Sequence, residues 1–157
     1  MGSDSQPDDE VEQLRERYRE LLEELRTIIP GSQVLLAFLL TVPFSSGFDD
    51  LDDLGRKVFT AVLLGVAAAT ALFLAPAVHH RTAPDEDRKT RLRLGIALTV
   101  AGMALLAASV SAAVFVVTRY IFDDNAWVGV ASGAAVATFT ATLWYVVPLV
   151  RLHRRRD

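Results

Sequence analysis

The sequence predicts an all-α integral membrane four-helix bundle, preceded by an N-terminal amphipathic cytoplasmic or interfacial helix. Three observations lead there. Uncharged intervals cover 27–48, 58–80, 94–118 and 125–150, which are 22, 23, 25 and 26 residues long. At 1.5 Å of rise per residue, about 20 residues cross a hydrocarbon layer of roughly 30 Å, so each interval is long enough to span. Almost all the charge of the 157-residue chain lies between these intervals, so the formal net charge of −3 hides a segregation of signs along the chain. Ahead of the first interval, apolar residues recur every three or four positions within a densely charged stretch, the pattern of a helix with one apolar face.

The four parts are expected at 1–9, 10–29, 30–151 and 152–157. Residues 1–9 are polar and acidic without apolar periodicity, as in a disordered lead. Over 10–29, Val11, Leu14, Tyr18, Leu21, Leu25 and Ile28 form a heptad-like seam flanked by Glu12/Arg15, Glu16/Arg19 and Glu23/Arg26 pairs at i,i+3. Such a face lies on the membrane, packs on its own bundle or meets a second copy. Leu14, Tyr18, Leu21 and Leu25 are its interaction residues, toward another copy or a cytoplasmic protein. Pro30-Gly31 is then expected to bend the chain where it enters the bilayer, because proline removes a helical hydrogen bond. The spans themselves are placed at about 30–47, 57–79, 92–118 and 126–150.

Within the spans, small residues mark where helix backbones approach in lipid. The second has Gly65 between Ala61 and Ala69. The third has Ala97, Ala101, Ala104, Ala108 and Ala112, and the fourth Gly129, Gly133, Ala137 and Ala141 at strict i+4. Gly65, Ala101, Ala108, Gly129, Gly133 and Ala137 are therefore the packing candidates. Gln33 and Thr41 are polar positions of the first span, available to a neighbouring helix or to a pore. Trp127 and Trp144-Tyr145 suit aromatic belts at the two interfaces. The acidic loop with Asp49, Asp50, Asp52 and Asp53 lacks the spacing of a calcium-binding loop and reads as a solvated turn. Two short echoes, Phe48-Asp49-Asp50 with Phe122-Asp123-Asp124 and Pro76-Ala-Val78 with Pro148-Leu-Val150, suggest a duplicated hairpin.

Lysine and arginine are distributed thirteen to three. The N-terminal segment, the middle linker and the basic tail hold thirteen, while Arg56, Lys57 and Arg119 stand alone in the other two loops. The positive-inside rule therefore puts both termini in the cytoplasm of a multi-pass protein of the cell (inner or plasma) membrane. No cleavable signal peptide is expected, since the start is acidic rather than basic then apolar.

Several function classes drop out. There is no cysteine, and His79, His80 and His153 lie near one interface, so thiol chemistry and nucleophile–base or metal-ligand sets are not expected. Neither an enzyme nor a cofactor is expected. Nor is nucleic-acid binding, because the basic residues sit where topology already requires them. A structural or interaction bundle that self-associates remains the first reading, with the lipid bilayer as its constant partner. An oligomeric ion channel or small-solute transporter is the alternative.

The run Glu20-Leu-Leu-Glu-Glu-Leu-Arg26, followed by Pro30-Gly31 and Gln33-Val-Leu-Leu-Ala-Phe-Leu-Leu-Thr-Val-Pro-Phe44, resembles a family of small four-helix bacterial membrane proteins, mainly actinobacterial, known as a domain of unknown function. Ala75-Pro-Ala-Val-His-His-Arg81 and Trp144-Tyr-Val-Val-Pro-Leu149 look like its other recurrent patches. The resemblance implies four spans. Some relatives carry the label sodium/proton antiporter, but exchange calls for an ionisable group within the membrane, and the four intervals contain no Asp, Glu, Lys or Arg.

Overall fold

The structure, a computed structural model, describes residues 5–82 and 88–146. Among these residues the chain is helical and has no strand. The long helices are α1 (Ser5–Thr41), α3 (Asp53–Thr82), α4 (Arg88–Ile121) and α5 (Ala126–Ala141); α2 (Ser46–Asp49) is a single turn. Four segments are long and apolar enough to cross a membrane: Leu25–Phe44, Asp53–Ala75, Arg93–Ile121 and Ala126–Trp144. Phe44, Trp127, Phe38, Phe139 and Leu64 are all more than 60% exposed. Apolar surface on this scale is what lipid covers and water does not.

The helices stand side by side in the order α1, α3, α4, α5, with α1 also touching α4. The core is organised around α3. Its residues Gly55, Phe59, Val62, Val66, Ala69 and Phe73 are all buried, at alternating steps of four and three. Leu25, Ser32 and Leu39 of α1 and Gly95, Gly102, Ser109 and Val116 of α4 are buried at steps of seven. Three neighbouring helices thus share the seven-residue period of knobs-into-holes packing. Leu39 packs with Phe59, Val62 and Val66, and Leu25 with Ala69 and Phe73.

The expected boundary at Pro30 is not a boundary. α1 runs unbroken for 37 residues through Pro30, about 56 Å at the usual rise. The heptad explains the continuity. Val11, Tyr18 and Leu25 of the charged segment are in phase with Ser32 and Leu39 of the span, so one helix satisfies both. Proline removes the bond to the carbonyl of Arg26 and crowds that carbonyl, a local cost on an open face of the helix. Arg26, Pro30 and Gly31 are all exposed, and nothing lies within 4 Å of the position a Gly31 Cβ would take.

The two Phe-Asp-Asp segments lie at the same end of the bundle but differ in conformation. The first closes α2. In the second, Asp123 and Asp124 have φ of 52° and 60°, and the N–H of Asn125 donates to the carbonyl of Phe122 at 3.0 Å. Two successive positive φ values inside that bond are those of a type I′ turn. Asn125 then caps α5, its side chain accepting from the N–H of Trp127 at 3.1 Å. Pro148 of the second echo lies outside the described residues.

Candidate functional site

The end of the bundle carrying both loops concentrates the polar chemistry. Asp52 is the N-cap of α3: its carboxylate accepts from the N–H of Gly55 at 2.8 Å. Gly55 must be small, since a Cβ there would sit 2.9 Å from that oxygen. The same carboxylate receives two bonds from Arg119 of α4, Nη1 at 3.2 Å and Nη2 at 2.7 Å. This bidentate fork joins residues 67 positions apart. Arg119 also lies 3.6 Å from the Asp124 carboxylate, and its Nε donates to the Asp124 carbonyl at 3.4 Å. One guanidinium, 12% exposed, therefore ties the loop before α3 to the turn before α5. Its hydrogen bonds to Asp52, followed by that of the Gly55 N–H, hold the Asp52 carboxyl below its ordinary range.

The other carboxylates of the acidic loop do not converge on Asp52. Asp49 and Asp50 are exposed. Asp53 pairs instead with Lys57 one turn along α3. Among the described residues no group of three metal-ligating side chains comes together.

Directly beneath this network lies an apolar cavity of about 220 Å³. Leu39, Phe48, Leu51, Phe59, Val116 and Tyr120 form much of its wall, and its lining exposes no polar surface. Phe48 meets Phe59 edge to face, with ring centroids 5.4 Å apart at 71°. The Arg56 guanidinium carbon lies 5.9 Å from the Phe48 ring centroid.

The small-residue candidates separate. Gly129 and Gly133 are buried where α5 meets α4. Cβ atoms there would lie 3.0 Å from the Phe115 carbonyl and 3.1 Å from the Ser111 carbonyl. Gly65 faces Ser109, whose hydroxyl occupies the space a Cβ would need. Ala101, Ala108 and Ala137 are exposed instead. A strict i+4 series advances 400°, drifting 40° per step, so by Ala137 the fourth-span stripe has rotated about 80° from Gly129. On α4 the contact falls one place along from the expected stripe, at Gly102 and Ser109. A Cβ on Gly102 would lie 2.7 Å from the Phe73 ring. The seven-residue spacing of Gly95, Gly102 and Ser109 is the signal that marks this face.

Gln33 and Thr41 are both exposed, and Thr41 turns its hydroxyl back to the Phe38 carbonyl at 2.7 Å. The buried polar contact between helices involves Ser32, next to Gln33. Its hydroxyl accepts from Thr70 at 3.3 Å and donates to the Ile29 carbonyl at 2.8 Å. Several other hydroxyls in the spans bond within their own helix, Thr99 to Gly95, Ser111 to Ala107 and Ser132 to Val128 among them. No buried side-chain N or O atom among the described residues lacks a partner. Of the N-terminal face, Leu25 is buried against α3; the side chains of Leu14, Tyr18 and Leu21 lie outside the described residues.

No curated protein and no solved structure matches the chain. The sequence profile of a family of unknown function matches residues 7–148, from the start of α1 past the end of α5. The match takes in all four spanning segments and both loops of the Asp52–Arg119 network, and the chain belongs to that family, DUF6328.

Proposed function

We propose that the chain is a small polytopic protein of the cell membrane that works as an interaction bundle, with both termini cytoplasmic and the Asp52–Arg119 end outside. It binds partners rather than catalysing a reaction, and the part it offers is the beginning of α1. One observation carries this reading. Leu25 packs with Ala69 and Phe73, Leu39 with Phe59, Val62 and Val66, and Ser32 between them bonds Thr70, so each residue forward on α1 matches one residue back on α3. Counted from the Ser32–Thr70 bond, the end of α3 at Thr82 lies level with about residue 20. Val11 and Leu14, in phase with the buried seam, stand beyond the helix that covers the rest of it. A second copy of the same seam is the occupant that its heptad spacing favours.

The thirteen-to-three distribution of basic residues supports the orientation. The alternative, an oligomeric channel or small-solute transporter, draws on the exposure of Gln33 and Thr41. The bundle's satisfied hydroxyls favour a sealed interior instead. The test is the copy number of the purified protein in lipid nanodiscs. Leu14→Asp with Leu21→Asp should lower it while the spans stay inserted. An unchanged copy number, together with Gln33→Cys disulfides between copies, would favour the channel.

A further inference from the structure

We propose that the apolar cavity beneath the Asp52–Arg119 network holds a segment of one acyl chain of a bilayer phospholipid, and that it selects a zwitterionic headgroup over an anionic one. The proposal rests on the membrane placement given above and adds a ligand to it.

Size and lining define the chain. At about 220 Å³ with no polar surface, the cavity exceeds the roughly 150 Å³ of an apolar cavity that stays dry and takes up benzene. Water would find no partner there. The cavity also has an open side, where Val117 is 54% and Tyr120 43% exposed. In a bilayer that opening faces hydrocarbon. Leu39, Phe59, Val116 and Tyr120 lie within about two turns of the ends of their spans, the depth at which a lipid chain leaves its headgroup. An acyl chain is thus the apolar group supplied continuously to this mouth.

Charge defines the headgroup. Asp49, Asp50, Asp52, Asp53, Asp123 and Asp124 at this end count six, against Arg56, Lys57 and Arg119, a local net of −3. Arg119 is already occupied by Asp52 and Asp124, and Lys57 by Asp53, which leaves Arg56, over the Phe48 ring of the wall and bonded to the Asp49 carbonyl, for a lipid phosphate. Beyond that one cation the phosphate meets carboxylates in excess, and an ethanolamine headgroup brings its own ammonium to them where a glycerol headgroup brings none.

The experiment is native mass spectrometry of the full-length protein, delipidated in detergent and given phosphatidylethanolamine or phosphatidylglycerol with identical chains. Wild type should retain one lipid, with phosphatidylethanolamine favoured about fivefold. Ala113→Phe, which fills the cavity from α4, should abolish retention. So should Val117→Phe, which covers the mouth from an exposed position and leaves the packed core intact. Undiminished retention in both variants would overturn the site. Equal retention of the two lipids by wild type would overturn the headgroup selection. Failure of the underlying membrane reading would appear separately, as wild-type protein in the soluble fraction of cells.

Discussion

α1 and α5 occupy the two ends of the same row of helices, yet they are attached in opposite ways. α1 meets α3 through side chains: Leu25 and Leu39 interdigitate with Phe73, Phe59 and Val62, and Ser32 reaches Thr70. α5 meets α4 through the absence of side chains, with Gly129 and Gly133 brought against the Phe115 and Ser111 carbonyls. Lipid tails are as apolar as leucine, so burying a leucine in a membrane bundle brings little hydrophobic gain. Contact must come from close packing, and the two helices show its two solutions, filled seam and bare backbone. The bare one tolerates far less, because nothing at the contact can rotate aside.

The largest effect should therefore come from Gly133→Leu, which pushes α5 off α4. We expect a loss of about 1–3 kcal/mol, the usual range for overpacking, seen as a lower melting temperature in detergent. Ala137→Leu, on the exposed side one turn later, should stay within about 0.5 kcal/mol. Equal losses would mean that α5 is held by something other than its two glycines.

The link between the two hairpins should show next, through pH. Because the native Asp52 carboxyl is held below its ordinary range, its stabilising contribution is complete above about pH 4. It disappears as pH falls through the lowered native value. Asp52→Asn should therefore melt below wild type at neutral pH, and the two melting temperatures should converge in acid. A constant gap from pH 7 to pH 3 would show that the ion pair with Arg119 contributes nothing beyond the shape of the side chain.

The smallest effect has the opposite sign. Gly31 on α1 is the same residue type as Gly133, but open space surrounds its would-be Cβ. Gly31→Ala should stabilise the helix by about 0.5–1 kcal/mol, the entropic cost of a mid-helix glycine. A raised melting temperature would sharpen the contrast with α5; a lowered one would mean that another surface closes on Gly31.

How much of this was legible beforehand depends on whether the signal is periodic. The four spans were legible because a long uncharged run reports span length directly. The continuity of α1 is legible too, since the phase of Val11, Tyr18 and Leu25 runs on through Pro30 to Ser32 and Leu39. The α4 face was hidden by abundant alanine: Ala101 and Ala108 look like a packing stripe, while the true contacts, Gly102 and Ser109, recur less often and at a longer step. Gln33 is a polar position of the first span, yet it is exposed, and Ser32 beside it is small enough to be buried at the seam. The Asp52–Arg119 fork carried no sequence signal. Its partners lie in different loops, and only the packing of α3 on α4 brings them together.

The unbroken course of α1 through Pro30 has a mechanical consequence. A continuous helix transmits tilt across Pro30 from one half to the other. The 25 residues from Ser5 to Ile29 make an arm of about 37 Å. A lean of about 10° in the spanning half sweeps the tip through roughly 6 Å, more than one helical turn of rise. Thinning or thickening of the surrounding bilayer, which spans accommodate by tilting, would thus be converted into sideways displacement at the far end of α1. The helix is a pointer whose pivot sits in the membrane and whose tip lies beyond it.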